Sequence, residues 1–272
     1  MTKISFISSI LIILLIAGCQ KDTSTSITPQ PGDKNTSEGS SVIADKAFDG
    51  LNGLVIGQIS TSMLKSGVLG TCPSFTATLN PSFPVSVTFD WGTGCTSAED
   101  GITRSGKITA SVSGMMNVAN SVVTFNFTDF ASDGNKITGV HRITYLGLNA
   151  GNNWPRYAAF TEAKIEFADK KFITYHAEYI RLQSEGAATP LILADDVWRI
   201  EGSSSGTTRE GVAWTASYPS AVVKKASCKW FSSGSVLITP SGDVPRTINF
   251  GDGTCDNKAT LTIEDKTIDI LL

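Results

Sequence analysis

From Val85 onward, apolar side chains recur at every second position in short runs: Val85, Val87, Phe89 and Trp91; Ile108, Ala110 and Val112; Val123, Phe125 and Phe127; Ile173, Tyr175, Ala177 and Tyr179. Successive side chains of a β-strand point to opposite faces, so this alternation gives each run one apolar and one polar side. β-branched and aromatic residues fit such a half-buried pleated surface. The gaps carry turn formers: Ala98-Glu99-Asp100-Gly101, Ser132-Asp133-Gly134-Asn135, Ala168-Asp169-Lys170-Lys171 and Ser203-Ser204-Ser205-Gly206. No helix-length pattern separates the runs, which predicts antiparallel neighbours. The expected fold is all-β, a mainly antiparallel multi-stranded sheet or sandwich with a short N-terminal helix.

That helix is expected within 42–64, where Phe48, Leu51, Val55 and Ile59 recur at three and four residues. Gly50, Gly53 and Gly57 weaken it, each costing a helix about 1 kcal/mol relative to alanine, and predict a short or broken element. Further along, Trp198, Trp214 and Trp230 stand sixteen residues apart. A hairpin turning at Gly206 and another near Val222 would set the three indoles abreast on one face, as core or as a ligand platform.

The N-terminus carries Lys3, an apolar run over 10–16 and then Ala17-Gly18-Cys19. A charged start, a short apolar stretch and small residues make an export leader over 1–18. Ile16-Ala17-Gly18-Cys19 resembles the lipobox of bacterial lipoproteins, and the resemblance implies a lipidated Cys19 that anchors the chain to a membrane surface. Residues 19–41 hold Ser, Thr, Pro, Gly, Asp and Lys with few apolar side chains, and are expected to form a flexible tether ahead of a single β-rich domain over 42–272. The net charge is −3 and loss of Lys3 with the leader makes it more negative. With no dense Lys/Arg run, nucleic acid is excluded as a partner. Lys224-Lys225 reads as a solvated turn.

Four cysteines remain besides Cys19, and an even number in an exported chain suggests disulfides. Phe89-Asp90-Trp91-Gly92-Thr93-Gly94-Cys95 is echoed by Ile248-Asn249-Phe250-Gly251-Asp252-Gly253-Thr254-Cys255. Cys72 precedes the first copy as Cys228 precedes the second. Of the three possible pairings the repeat selects Cys72 with Cys95 and Cys228 with Cys255, within diverged units near 72–113 and 228–270.

These motifs, with Ser105-Gly106-Lys107-Ile108 after the first copy and Asp256-Asn257 after the second, resemble a group of Bacteroidota outer-membrane lipoproteins with repeated Asp/Asn-aromatic-Gly-x-Gly-Cys motifs. Cys19-Gln20-Lys21-Asp22 is also similar to the signal that sends such lipoproteins to the outer face of the outer membrane. The resemblance implies a cell-surface location and transfers no activity.

Site chemistry is sparse. Asp252, Asp256 and Asn257 lack the spacing of a calcium loop, as do Asp195-Asp196 and Asp129 with Asp133, and all read as turn residues. His141 and His176 are the only histidines and lie in alternating strands. Glu162, Glu166, Glu178 and Glu185 could supply the paired carboxylates of glycoside chemistry. The segment with a binding character is 149–157, where Trp154 and Tyr157 could stack on a sugar while Asn152, Asn153 and Arg156 bond its hydroxyls. No cofactor or metal is implied. The expected function is a lipid-anchored, non-enzymatic envelope module for surface binding or structure, with the membrane and either a glycan or another envelope protein as partners. The alternatives are a glycan-active hydrolase and a periplasmic carrier of an apolar ligand.

Overall fold

A computed structural model describes residues 35–62, 72–78, 82–97, 101–189 and 192–272. The leader and the lipidation of Cys19 lie outside the described residues. The first element is α1, Ser37–Ser62, 26 residues long. Thr36 caps it: its Oγ1 accepts the Gly39 N–H at 3.1 Å and its carbonyl accepts the Ser40 N–H at 3.0 Å. The helix therefore starts five residues before the apolar periodicity indicates, and 37–41, expected as the end of the tether, are helical and buried. It also runs unbroken through Gly50, Gly53 and Gly57. Packing of residues 37–52 within the sheet offsets the weak intrinsic propensity of those glycines.

Most of the other described residues form one antiparallel sheet of fourteen strands, with a short 3-10 turn at Leu193–Asp195. In chain order they are β1 (Ser74–Thr78), β2 (Val85–Asp90), β3 (Cys95–Thr96), β4 (Thr103–Val112), β5 (Val122–Ser132), β6 (Asn135–Leu148), β7 (Pro155–Glu166), β8 (Phe172–Glu185), β9 (Val197–Thr207), β10 (Ala213–Lys225), β11 (Ser233–Pro240), β12 (Arg246–Asp252), β13 (Lys258–Ile263) and β14 (Lys266–Leu271). Each strand pairs with its sequence neighbours, except that β2 skips the two-residue β3 to pair with β4. The fold is thus a single continuous meander, and of the two expected arrangements the sheet is the one formed.

The meander curls around the helix. Phe48 of α1 stacks on Tyr175 of β8 and touches Phe127 of β5 and His141 of β6. Asp45 reaches β8 and β10, Glu38 reaches Arg246 of β12, and Lys46 reaches Asp133 in the β5–β6 turn. One helix can meet strands from β5 to β12 only if the sheet bends about it. Irregularities in register assist, as in β5 against β6 between Phe125 and Ala131 and in β10 against β9 between Ser217 and Val222. The inward rows of β2 through β14 and Ala44, Ala47, Phe48 and Leu51 of α1 make one core.

Both expected disulfides are present, Cys72–Cys95 with Cα atoms 5.9 Å apart and Cys228–Cys255 with 5.4 Å. Each ties the entry of a hairpin, β1–β2 or β11–β12, to the segment leaving it. The repeated turns match in detail. The Gly92 N–H donates to Asp90 Oδ1 at 2.8 Å, and the Gly251 N–H to Asn249 Oδ1 at 2.9 Å. Between them Trp91 and Phe250 are buried.

The tryptophan register differs from the expectation. Trp214 stands opposite Gly206 and Trp198 opposite Lys224, because Ser203-Ser204-Ser205-Gly206 is strand and the chain turns at 208–212. Trp198 and Trp214 are core residues; Trp230 is half-buried in the β10–β11 connection. Lys224, expected in a solvated turn, lies within the last strand residues of β10 with its side chain buried and its ammonium on the Cys228 carbonyl.

Candidate functional site

The helix carries a polar stripe beside its apolar one. Glu38, Ser41, Asp45, Asp49 and Asn52 follow at steps of three or four and so share one side of α1. All are buried, and each meets a partner. Glu38 faces Arg246 at 3.4 Å, and Asp49 accepts from Arg181 at 2.6 Å. Asn52 Oδ1 lies 2.9 Å from His141 Nε2, whose Nδ1 is 2.8 Å from Thr161 Oγ1. An amide oxygen only accepts, so Nε2 carries the proton and Nδ1 takes the Thr161 hydroxyl. Burial, helped by the nearby Arg181 charge, pushes the His141 pKa down to about 3.

Asp45 is held differently. Its Oδ1 accepts from the Tyr175 hydroxyl at 2.5 Å and the Tyr179 hydroxyl at 2.9 Å, while Tyr218 reaches Oδ2 at 3.3 Å. The phenol oxygens also lie 2.9 Å apart, Tyr175 from Tyr179 and Tyr218 from Tyr179, so the three protons are shared among these oxygens and the carboxylate. Burial raises the Asp45 pKa to about 6 against the lowering effect of these hydrogen bonds. All three phenols are pushed well above their ordinary value, chiefly by burial and then by the Asp45 charge.

The solvent-facing side of the sheet holds a second constellation, set out by strand register. Three rows cross β6, β7 and β8: Thr144–Ala158–Ile180, Arg142–Phe160–Glu178 and Val140–Glu162–His176. Arg142 lies over the Phe160 ring at 5.4 Å, and the His176 ring meets it edge-on at 5.5 Å. Glu178 stands 3.7 Å from His176. The upper two rows line an open depression of about 500 Å³. Strands lie about 4.8 Å apart, so the Arg142 and Glu178 backbones are about 10 Å apart with Phe160 between them. The arrangement offers an apolar floor with a donor on one side and an acceptor on the other.

The expected loop constellation does not form. Asn152 and Asn153 are exposed at the β6–β7 turn, and Asn152 Oδ1 joins Asn149 Oδ1 in accepting the Trp154 N–H. Trp154 is half-buried and Arg156 exposed. Tyr157 points into the core between Tyr145 and Trp198, the opposite face from Arg156. Alternation along β7 separates the two. Of the carboxylates, Glu162 and Glu178 belong to the outer patch, while Glu166 is tied to Lys164 and Lys170. Asp252 accepts from Thr254 and Asp256 from the Lys258 N–H, as turn residues do. Among the described residues, no three His, Cys, Asp or Glu side chains are grouped to hold a metal ion.

The polar stripe escaped sequence reading because its partners lie far along the chain, 89 residues from Asn52 to His141 and 173 from Asp45 to Tyr218, where no local pattern joins them. Comparison with family models, curated proteins and solved structures finds no match. Geometry and chemistry alone carry the functional reading.

Proposed function

We propose that this chain is a lipid-anchored envelope protein without catalytic activity that binds a glycan on the outer face of β6–β8. The observation that carries the reading is the Arg142–Phe160–Glu178 row, an aromatic ring flanked by a donor and an acceptor on an open surface. A sugar has the matching character, with an apolar ring face edged by hydroxyls. Two disulfides support an oxidising compartment, in keeping with export and with an anchor at Cys19.

The hydrolase reading is less favoured. Glu162 and Glu178 are diagonal neighbours about 7–8 Å apart at the backbone, within the carboxylate range of such enzymes. Yet Glu178 is 69% exposed at the rim of an open depression, where its carboxylate stays in water. An apolar carrier needs a continuous apolar cavity, and the space lined by Val42, Trp230, Phe231 and Leu272 is also lined by Lys46, Asp49, Lys224 and Lys229 and measures about 30 Å³. That admits about one water molecule.

The test is a glycan array probed with wild-type protein and with Phe160→Ala. Binding that Phe160→Ala weakens about tenfold or more supports the proposal. No glycan binding by folded wild type, or binding indifferent to Phe160, overturns it and leaves an envelope protein as the partner to seek.

A further inference from the structure

We propose that Asp45, Tyr175, Tyr179 and Tyr218 form a site for a hard trivalent cation, with iron(III) as its natural occupant. Asp45 Oδ1 and the Tyr175 and Tyr179 hydroxyls make a triangle with edges of 2.5, 2.9 and 2.9 Å, and the Tyr218 hydroxyl lies 2.9 Å from that of Tyr179. Octahedral oxygen ligands at about 2.0–2.1 Å from a small cation are about 2.9 Å from their neighbours. Asp45 Oδ1 and the Tyr175 and Tyr179 hydroxyls are thus spaced close to one face of such a shell, with the Tyr218 hydroxyl beside that of Tyr179.

The same helix shows how this fold secures a carboxylate for structure alone. Asp49, one turn on, has the guanidinium of Arg181, and Glu38 has that of Arg246. One arginine neutralises the charge and supplies directional donors. Asp45 is held instead by three phenols from two non-adjacent strands, β8 and β10, and Ser41 adds a fourth oxygen at 3.3 Å. That set of neutral donors leaves the negative charge uncompensated.

The donors are all oxygen, which selects hard ions over soft ones. Phenols are weak ligands until deprotonated, and a highly charged ion lowers the pKa of what it binds. Each ligating phenol would release one proton to solvent. Carboxylate and three phenolates would carry four negative charges against three positive, a balance that a divalent ion leaves much worse. Asp45 and Tyr175 are buried, whereas Tyr179 and Tyr218 keep some exposed surface.

The test titrates the full chain with ferric nitrilotriacetate and follows the visible phenolate-to-iron charge-transfer band. Gallium(III) in parallel, read by ultraviolet difference, reports phenolate formation without redox chemistry. One equivalent is expected to saturate both signals. Tyr179→Phe/Tyr218→Phe is expected to lose at least tenfold in affinity, and Tyr145→Phe to match wild type. Tyr218→Phe alone, at a partly exposed position, serves if the double variant does not fold as judged by tryptophan fluorescence. No charge-transfer band in folded wild type, or one that persists unchanged without these hydroxyls, overturns the site.

Discussion

Asp49 of the helix and Arg181 of β8 meet at 2.6 Å with side chains only 7% and 2% exposed, and the Arg181 guanidinium also lies 5.3 Å from the Trp198 ring centre. Removing one partner leaves an unpaired buried charge, which costs about 3–5 kcal/mol. Asp49→Leu and Arg181→Met are each expected to lower stability in urea by that order. The double variant should recover much of the loss, because a well-packed apolar replacement of a buried pair is often neutral. A double-mutant cycle measures the coupling.

Asp45 and His141 give the fold opposing pH dependences. Asp45 has a folded pKa of about 6 against an ordinary 3.8. Its neutral form is favoured by folding, so its contribution is full below pH 3.8 and lost as pH rises through 6. His141 has a folded pKa of about 3 against 6.5. Its contribution is full above pH 6.5 and is lost as pH falls toward 3. Asp196, raised by burial to about 6, adds a slope of the same sign as Asp45, so between pH 4 and 6 His141 offsets about one of the two in the metal-free wild type. Asp45→Asn/Asp196→Asn should expose the His141 slope and lose stability on acidification over that window. His141→Gln should do the reverse. A tenfold difference in proton affinity between folded and unfolded chain is equivalent to about 1.4 kcal/mol, so changes of about 2–3 kcal/mol in urea unfolding between pH 4 and 6 are expected.

The two disulfides are expected to stabilise the fold comparably, since their cysteines are 23 and 27 residues apart. On the chain-entropy model each contributes about 3–4 kcal/mol. Cys72→Ser/Cys95→Ser and Cys228→Ser/Cys255→Ser should each lower the denaturation midpoint by a similar amount, and reductant should bring wild type below both.

Gly106 has φ +77°, and a Cβ there would lie 2.2 Å from the Asp129 carbonyl oxygen. The register of β4 on β5 shifts at this residue. Gly106→Ala therefore meets both an unfavourable backbone conformation and a clash with main chain, and should cost more than about 1 kcal/mol. Gly134→Ala, where φ is +76° and no atom lies within 4 Å, separates the two effects in thermal unfolding.

The alternation of Val85, Val87 and Phe89 was enough to read strands, since a half-buried antiparallel strand writes its two faces directly into the chain. The repeated Asp90 and Asn249 turns likewise led to the cysteine pairing. Ser203 to Gly206 misled because small residues serve turns and tight strand contacts alike. A Cβ on Gly206 would meet the Thr174 carbonyl oxygen at 2.1 Å and the Trp214 ring at 3.0 Å, which is why β9 needs glycine there. Asp45 and Asp49 resemble the solvated face of a surface helix. Only the curl of the sheet brings Tyr175, Tyr218 and Arg181 to them, and curl is a property of the whole meander. The outer rows are half legible: Glu162 and Glu178 stand in the sequence as strand carboxylates, but Arg142 and Phe160 join them only through cross-strand register.

The meander and its helix also set a timetable. Every strand pair but β2–β4 joins sequence neighbours, so the sheet can grow by local steps as the chain lengthens. The helix is made first, yet Asp45 waits for Tyr218, 173 residues later. Until β10 is in place the earliest segment has nowhere complete to dock, and its acids stay in water. Assembly of this protein must therefore finish at its beginning.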